Sequence, residues 1–61
     1  MNKRKERIRN HADHLYYRFE ELICIRHDLE DIGCKAQAKK LDTIISKMEM
    51  VIHELVEKAE K

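Results

Sequence analysis

The sequence predicts an all-α fold in which two amphipathic helices form an antiparallel hairpin, and two hairpins associate into a four-helix bundle. Three observations carry this reading. Apolar residues recur in steps of three and four along most of the 61 residues, the only glycine interrupts them near the middle, and there is no proline. A chain of this size buries only about 60% of the surface it exposes when unfolded. A lone core is therefore marginal, and a disulfide, a metal or a second chain has to supplement it.

The first stripe runs from Ile8 through Ala12, Leu15, Phe19, Leu22, Ile25 and Leu29 to Ile32, which is the apolar face of a helix over about residues 3–31. Gly33 follows the last periodic residue. A left-handed cap belongs there, because a residue without Cβ adopts positive φ without penalty, and Cys34 can then pack back on Leu29. The turn is expected over about 32–35. A second stripe of Ala38, Leu41, Ile45, Met48, Ile52, Leu55 and Ala59 alternates steps of three and four as heptad positions a and d do. It predicts helix 2 over about 36–60. No linker or low-complexity tract divides residues 1–61, so one helical-hairpin domain is expected.

Ile23 flanks the first stripe, and Ile44, Val51 and Val56 flank the second. One neighbouring helix cannot cover faces this wide. About three apolar residues per heptad suit a four-helix bundle, and a homodimer of hairpins supplies one. Ala12, Ala38 and Ala59 mark layers where helices approach closely. Ile8, Leu15, Phe19, Leu22, Ile25, Leu29, Leu41, Ile45, Met48, Ile52 and Leu55 are the expected core and dimer residues.

Charge supports the hairpin independently, because nearly every helix end carries the sign its dipole disfavours. Lys3, Arg4, Lys5 and Arg7 open helix 1, and Asp28, Glu30 and Asp31 close it; Lys35, Lys39 and Lys40 open helix 2, and Glu54, Glu57 and Glu60 close it. Folding back at Gly33 sets each end beside its opposite. The alternative is one continuous helix through Gly33 in an antiparallel coiled-coil dimer, since a helical glycine costs only about 1 kcal/mol relative to alanine.

Composition excludes several classes. No stretch of about 18 apolar residues could span a bilayer, and MNKRKERIRN leads into polar sequence without an apolar signal region, so the mature chain is expected to begin near Met1. If Cys24 is helical, it stands roughly 15 Å from Cys34, beyond disulfide range. Reduced thiols fit a cytoplasmic setting. A net charge of +1 selects no partner class.

Candidate sites are few. Arg4, Lys5, Arg7 and Arg9 could contact nucleic-acid phosphates, with Tyr16, Tyr17 and Arg18 further along the helix as stacking groups. The acidic end of helix 2 should oppose that arm. His11, His14 and His53, with Asp13, Glu54 and Glu57, could approach a transition-metal geometry. His53 follows a core position and should face outward, so these read as polar residues bordering the bundle, and no metal or cofactor is expected. His27 suits the C-terminal end of helix 1. Cys24 and Cys34 have no histidine in a nucleophile arrangement and read as packing residues. Tyr16, Tyr17 and Met50 are exposed aromatic and methionine side chains of the kind favoured in protein contacts, and form the expected partner surface.

Two segments carry resemblances. HADHLY, His11 to Tyr16, resembles part of the second helix of the plasmid RNA-binding Rop proteins, themselves dimers of helical hairpins. Here it falls in the first helix, so the resemblance implies the architecture and no RNA contacts. Phe19 to Ile45, with EEL at Glu20 to Leu22 and LD at Leu41 and Asp42, resembles the small helical-hairpin aspartyl phosphatases that act on sporulation response regulators. That resemblance implies a functional Asp42. The family's motif has a serine shortly before its Leu-Asp pair, where this chain has Ala38, and a longer loop. The residues themselves favour a non-enzymatic regulatory or adaptor protein that pairs with itself and binds another protein; nucleic-acid binding and the phosphatase activity are the alternatives.

Overall fold

The computed structural model describes residues 3–60, and among these the chain forms two helices, α1 (Lys3–Asp31) and α2 (Lys35–Glu60). Residues 1, 2 and 61 of the expected domain lie outside the described residues. The helices pack along one another as a hairpin with extents of 50 × 15 × 10 Å. The continuous-helix alternative is thereby overturned, because the chain reverses over Ile32, Gly33 and Cys34.

The reversal is a Schellman cap. Gly33 has φ 91°, the Cys34 amide donates to the Leu29 carbonyl at 2.8 Å, and the Gly33 amide donates to the Glu30 carbonyl at 3.1 Å. These bonds use two of the carbonyls that the end of α1 would otherwise leave without partners. Helix α2 begins at once, its Ala38 amide bonding the Cys34 carbonyl at 3.0 Å. Ile32, expected to end the apolar stripe, instead lies in the turn and is exposed.

Within the hairpin the seam follows strict heptads. On α2 the residues that are buried or half-buried are Ala38, Leu41, Ile45, Met48, Ile52, Leu55 and Ala59, as the stripe predicts. On α1 they are Lys5, Ile8, Ala12, Leu15, Phe19, Leu22, Arg26 and Leu29, together with Ile23. Arg26 thus occupies the seam position that the sequence reading gave to Ile25. The alternation of three and four requires a step of four after Leu22, and that step reaches Arg26; Ile25 is turned 100° away and is 48% exposed.

Among the described residues the buried side chains are Ala12, Ala38, Ala59 and Ile45. Alanines at the seam let two backbones approach without interlocking large side chains, so the larger residues stay half-exposed around them. The hairpin consequently exposes 5271 Å², whereas a compact protein of 7.4 kDa exposes about 4,200 Å². The excess is comparable to the roughly 800 Å² each partner contributes to a standard protein interface.

An alanine Cβ at Gly33 would meet nothing within 4 Å, so substitution there is governed by backbone conformation alone. Gly33→Ala should lower stability by about 1 kcal/mol and Gly33→Asn by less, because asparagine tolerates positive φ better. Urea unfolding followed by helical circular dichroism at one protein concentration measures both. Equal stability of all three chains would show that the cap is not maintained in solution.

Candidate functional site

The side-chain cluster with the most polar contacts centres on Arg26. Its Nε lies 3.0 Å from Asp42 Oδ1 across the seam, its Nη1 donates to Glu30 Oε1 at 3.1 Å, and its Nη2 stands 3.3 Å from His27 Nε2. Only 20% of the Arg26 side chain is exposed, because its methylenes lie along the seam while the guanidinium reaches the rim. Asp42, which the phosphatase resemblance would make functional, is therefore held by an arginine from the opposite helix. Sequence reasoning missed Arg26, although its step of four from Leu22 was a usable signal.

The charged ends are juxtaposed as expected, but direct pairing is sparse. Among the described residues Lys35, Lys39 and Lys40 make no ion pair with Asp28, Glu30 or Asp31. Arg18 and Glu21 form an exposed pair one turn apart at 2.9 Å.

The two flanks of the hairpin differ in character. With a and d in the seam, e positions stand on one side and g positions on the other, and antiparallel packing places e beside e and g beside g. The e flank carries Arg9, Tyr16, Ile23 and Glu30 from α1, and Asp42, Glu49 and Val56 from α2; the Arg26 cluster lies along it. On the g flank are Arg4, His11, Arg18, Ile25 and Ile32 from α1, and Gln37, Ile44, Val51 and Lys58 from α2. Ile25, Ile32, Ile44 and Val51 are 48%, 65%, 55% and 45% exposed, forming an apolar strip over the half nearest the turn.

The three expected partner-binding residues do not form one surface on a single hairpin. Tyr17 and Met50 are 71% and 63% exposed, but both occupy f positions and face outward from the backs of opposite helices. Tyr16 lies on the e flank, its ring centroid 6.1 Å from that of Phe19. Tyr16 and Tyr17 share a shallow groove with Asp13 and Glu20.

The basic arm is similarly divided. Arg4 and Arg7 line an open groove with Lys3, Ile8 and His11, whereas Lys5 and Arg9 line another with Glu6 and Ala59. Lys5 is half-buried at the seam and already engaged. The four cations thus face two sides of the helix. His11, His14 and His53 are exposed, and among the described residues no three His, Cys, Asp or Glu side chains stand close enough to hold a metal ion. Cys24 is exposed and Cys34 half-buried, and both are free thiols.

These features define a two-helix hairpin with one polar and one apolar flank. Compared with protein-family models, characterised proteins and solved structures, the chain matches none. No described helix is long and apolar enough to cross a membrane.

The Arg26 bridge has a measurable consequence. A double-mutant cycle of Arg26→Met and Asp42→Ala should give a coupling of about 0.5–1 kcal/mol, modest because the Asp42 side chain is 54% exposed. Coupling indistinguishable from zero would show that the bridge contributes nothing to stability.

Proposed function

We propose that the chain is a small non-enzymatic interaction module that works in the cytoplasm as a homodimer of hairpins and engages another protein through its outer helical surface. The observation that carries this reading is the apolar strip Ile25, Ile32, Ile44 and Val51, exposed beside a seam whose buried residues are three alanines and one isoleucine. Four large aliphatic side chains in one strip are costly to leave in water, and association removes that cost. The surface excess over a compact monomer is also of the size a stable interface uses.

Adaptor action, rather than self-association alone, is supported by Tyr16 and Tyr17. Both are largely exposed and lie away from the apolar flank, and tyrosines combine a large contact area with a polar tip. The divided basic arm favours a protein partner over nucleic acid, because phosphate tracking needs cations along one face.

Light scattering after size exclusion should give twice the 7.4 kDa chain mass. That mass should hold at low and high ionic strength, since apolar burial supplies most of the association, and should not rise when bulk cellular RNA is added. A monomeric mass at all accessible concentrations would overturn the homodimer, and RNA-dependent gain at low salt would favour a nucleic-acid role. For the adaptor surface, Tyr16→Ala with Tyr17→Ala should abolish retention of partner proteins on the immobilised chain while helicity is unchanged. Undiminished retention would remove that surface from the proposal.

A further inference from the structure

We infer that the second copy docks on the g flank about a twofold axis running along the length of the hairpin, so that both turns lie at the same end of the bundle. The inference rests on the homodimer reading above and assigns its interface and topology.

A rotation about the long axis leaves every residue at its own level, so whatever is level within one hairpin is level across the dimer. The Arg26–Asp42 bridge, and the groove shared by Ala59 with Lys5 and Arg9, set residues whose numbers sum to about 67 at one level. The rotation lays α1 of one copy over α2 of the other, antiparallel. Ile25 then meets Ile44 of the second copy, and symmetry repeats the contact.

The rim is complementary under this rotation. Beside the g row lies the c row, which on α1 reads Asp28, Glu21, His14 outward from the turn and on α2 reads Lys40, Lys47, Glu54. Asp28 falls level with Lys40 of the second copy, Glu21 with Lys47 and His14 with Glu54. The first two pairs are attractive ion pairs, and the imidazole of His14 can donate a hydrogen bond to Glu54. Among the described residues Asp28, His14, Lys40, Lys47 and Glu54 form no ion pair with one another, and Glu21 makes an exposed contact with Arg18.

Other arrangements lose this match. The same rotation applied to the e flank would press Ile23 against Asp42 and Tyr16 against Glu49. A twofold across the g flank, with turns at opposite ends, lays α1 on α1. If centred on the apolar strip, it sets Glu21 against Asp28 and Lys40 against Lys47; if the hairpins overlap fully, it sets Ile32 beside Arg4 and Ile25 beside His11. The favoured arrangement also places Tyr17 at the level of Met50 of the second copy, on one outer face. The two partner-binding residues that a single hairpin separates are thereby reunited.

The test is a distance between copies. In a Cys24→Ala, Cys34→Ala background, a spin label on Lys35→Cys reads the separation of the two turns by pulsed electron resonance, with light scattering to establish the dimer. Turns at one end give a separation under about 25 Å both there and for a label on Glu57→Cys, whereas turns at opposite ends give roughly 40 Å at Lys35 when the hairpins overlap fully and roughly 40 Å at Glu57 when they are centred on the strip, from the rise of 1.5 Å per residue. A dimer with the long distance overturns the topology while leaving the homodimer standing, whereas absence of a dimer in the unmodified chain overturns the homodimer itself.

Charge reversal gives a second readout without labels. Lys40→Glu with Lys47→Glu should weaken self-association about tenfold or more, reflecting four exposed attractions turned into repulsions. Mixing that variant with Glu21→Lys, Asp28→Lys should restore pairing. An unchanged dissociation constant in the first variant overturns the assigned rim, as does retention of the dimer by Ile25→Glu, Ile44→Glu for the flank.

Discussion

Reversal of the chain at Gly33 brings together two apolar stripes that have no other surface to cover within the hairpin. Amphipathic helices draw most of their stability from packing their apolar face, and here each also carries the wrong charges for its own dipole, so neither gains much from forming alone. The left-handed glycine and its two capping hydrogen bonds end α1 and turn the chain so that α2 runs back along the same seam. Local conformation at one residue therefore decides whether the stripes are buried within one chain.

What the seam then buries is limited by its own composition. Ala12, Ala38 and Ala59 allow close approach but contribute little apolar area, and Lys5 and Arg26 occupy two of the eight seam positions on α1. A partly buried arginine bridging to Asp42 adds little net stability, since desolvation offsets much of the attraction. It opposes slippage instead, because a shift of one heptad would put Phe19 or Gly33 opposite Asp42 and leave Arg26 without its partner. The hairpin thus has a well-specified register and a thin core.

The hairpin was legible because its signals are local: one glycine after a periodic run, and a second stripe without interruption from Ala38 to Ala59. The phase of α1 was harder. Ile25 is more hydrophobic than Arg26, and a reading by hydrophobicity chooses it, yet the seam is fixed by Leu22 and Leu29 on either side, between which only residue 26 keeps the alternation. A long arginine can satisfy such a position because its stem is apolar and its head reaches water. The expected partner surface failed to cohere for a different reason. Exposure alone cannot say on which side of a hairpin a residue stands, and Tyr17 and Met50 share a level but not a face. The opposed end charges were visible in the sequence, whereas their sparse direct pairing was not, because long exposed side chains lose entropy when they are fixed.

The connection between the helices is only three residues long and contains the one position able to change the topology. If Gly33 took helical φ, α1 and α2 would fuse into a single rod, and the same stripes, in the same antiparallel sense, would pair between molecules. Domain-swapped and folded-back forms would share nearly every seam contact. Their balance would depend on the capping hydrogen bonds, on the strain of a short loop and on protein concentration, through the difference between an intramolecular encounter and a bimolecular one. In the described fold the positive φ of Gly33 and its capping hydrogen bonds prevent that fusion, so three residues hold the connectivity of the whole hairpin.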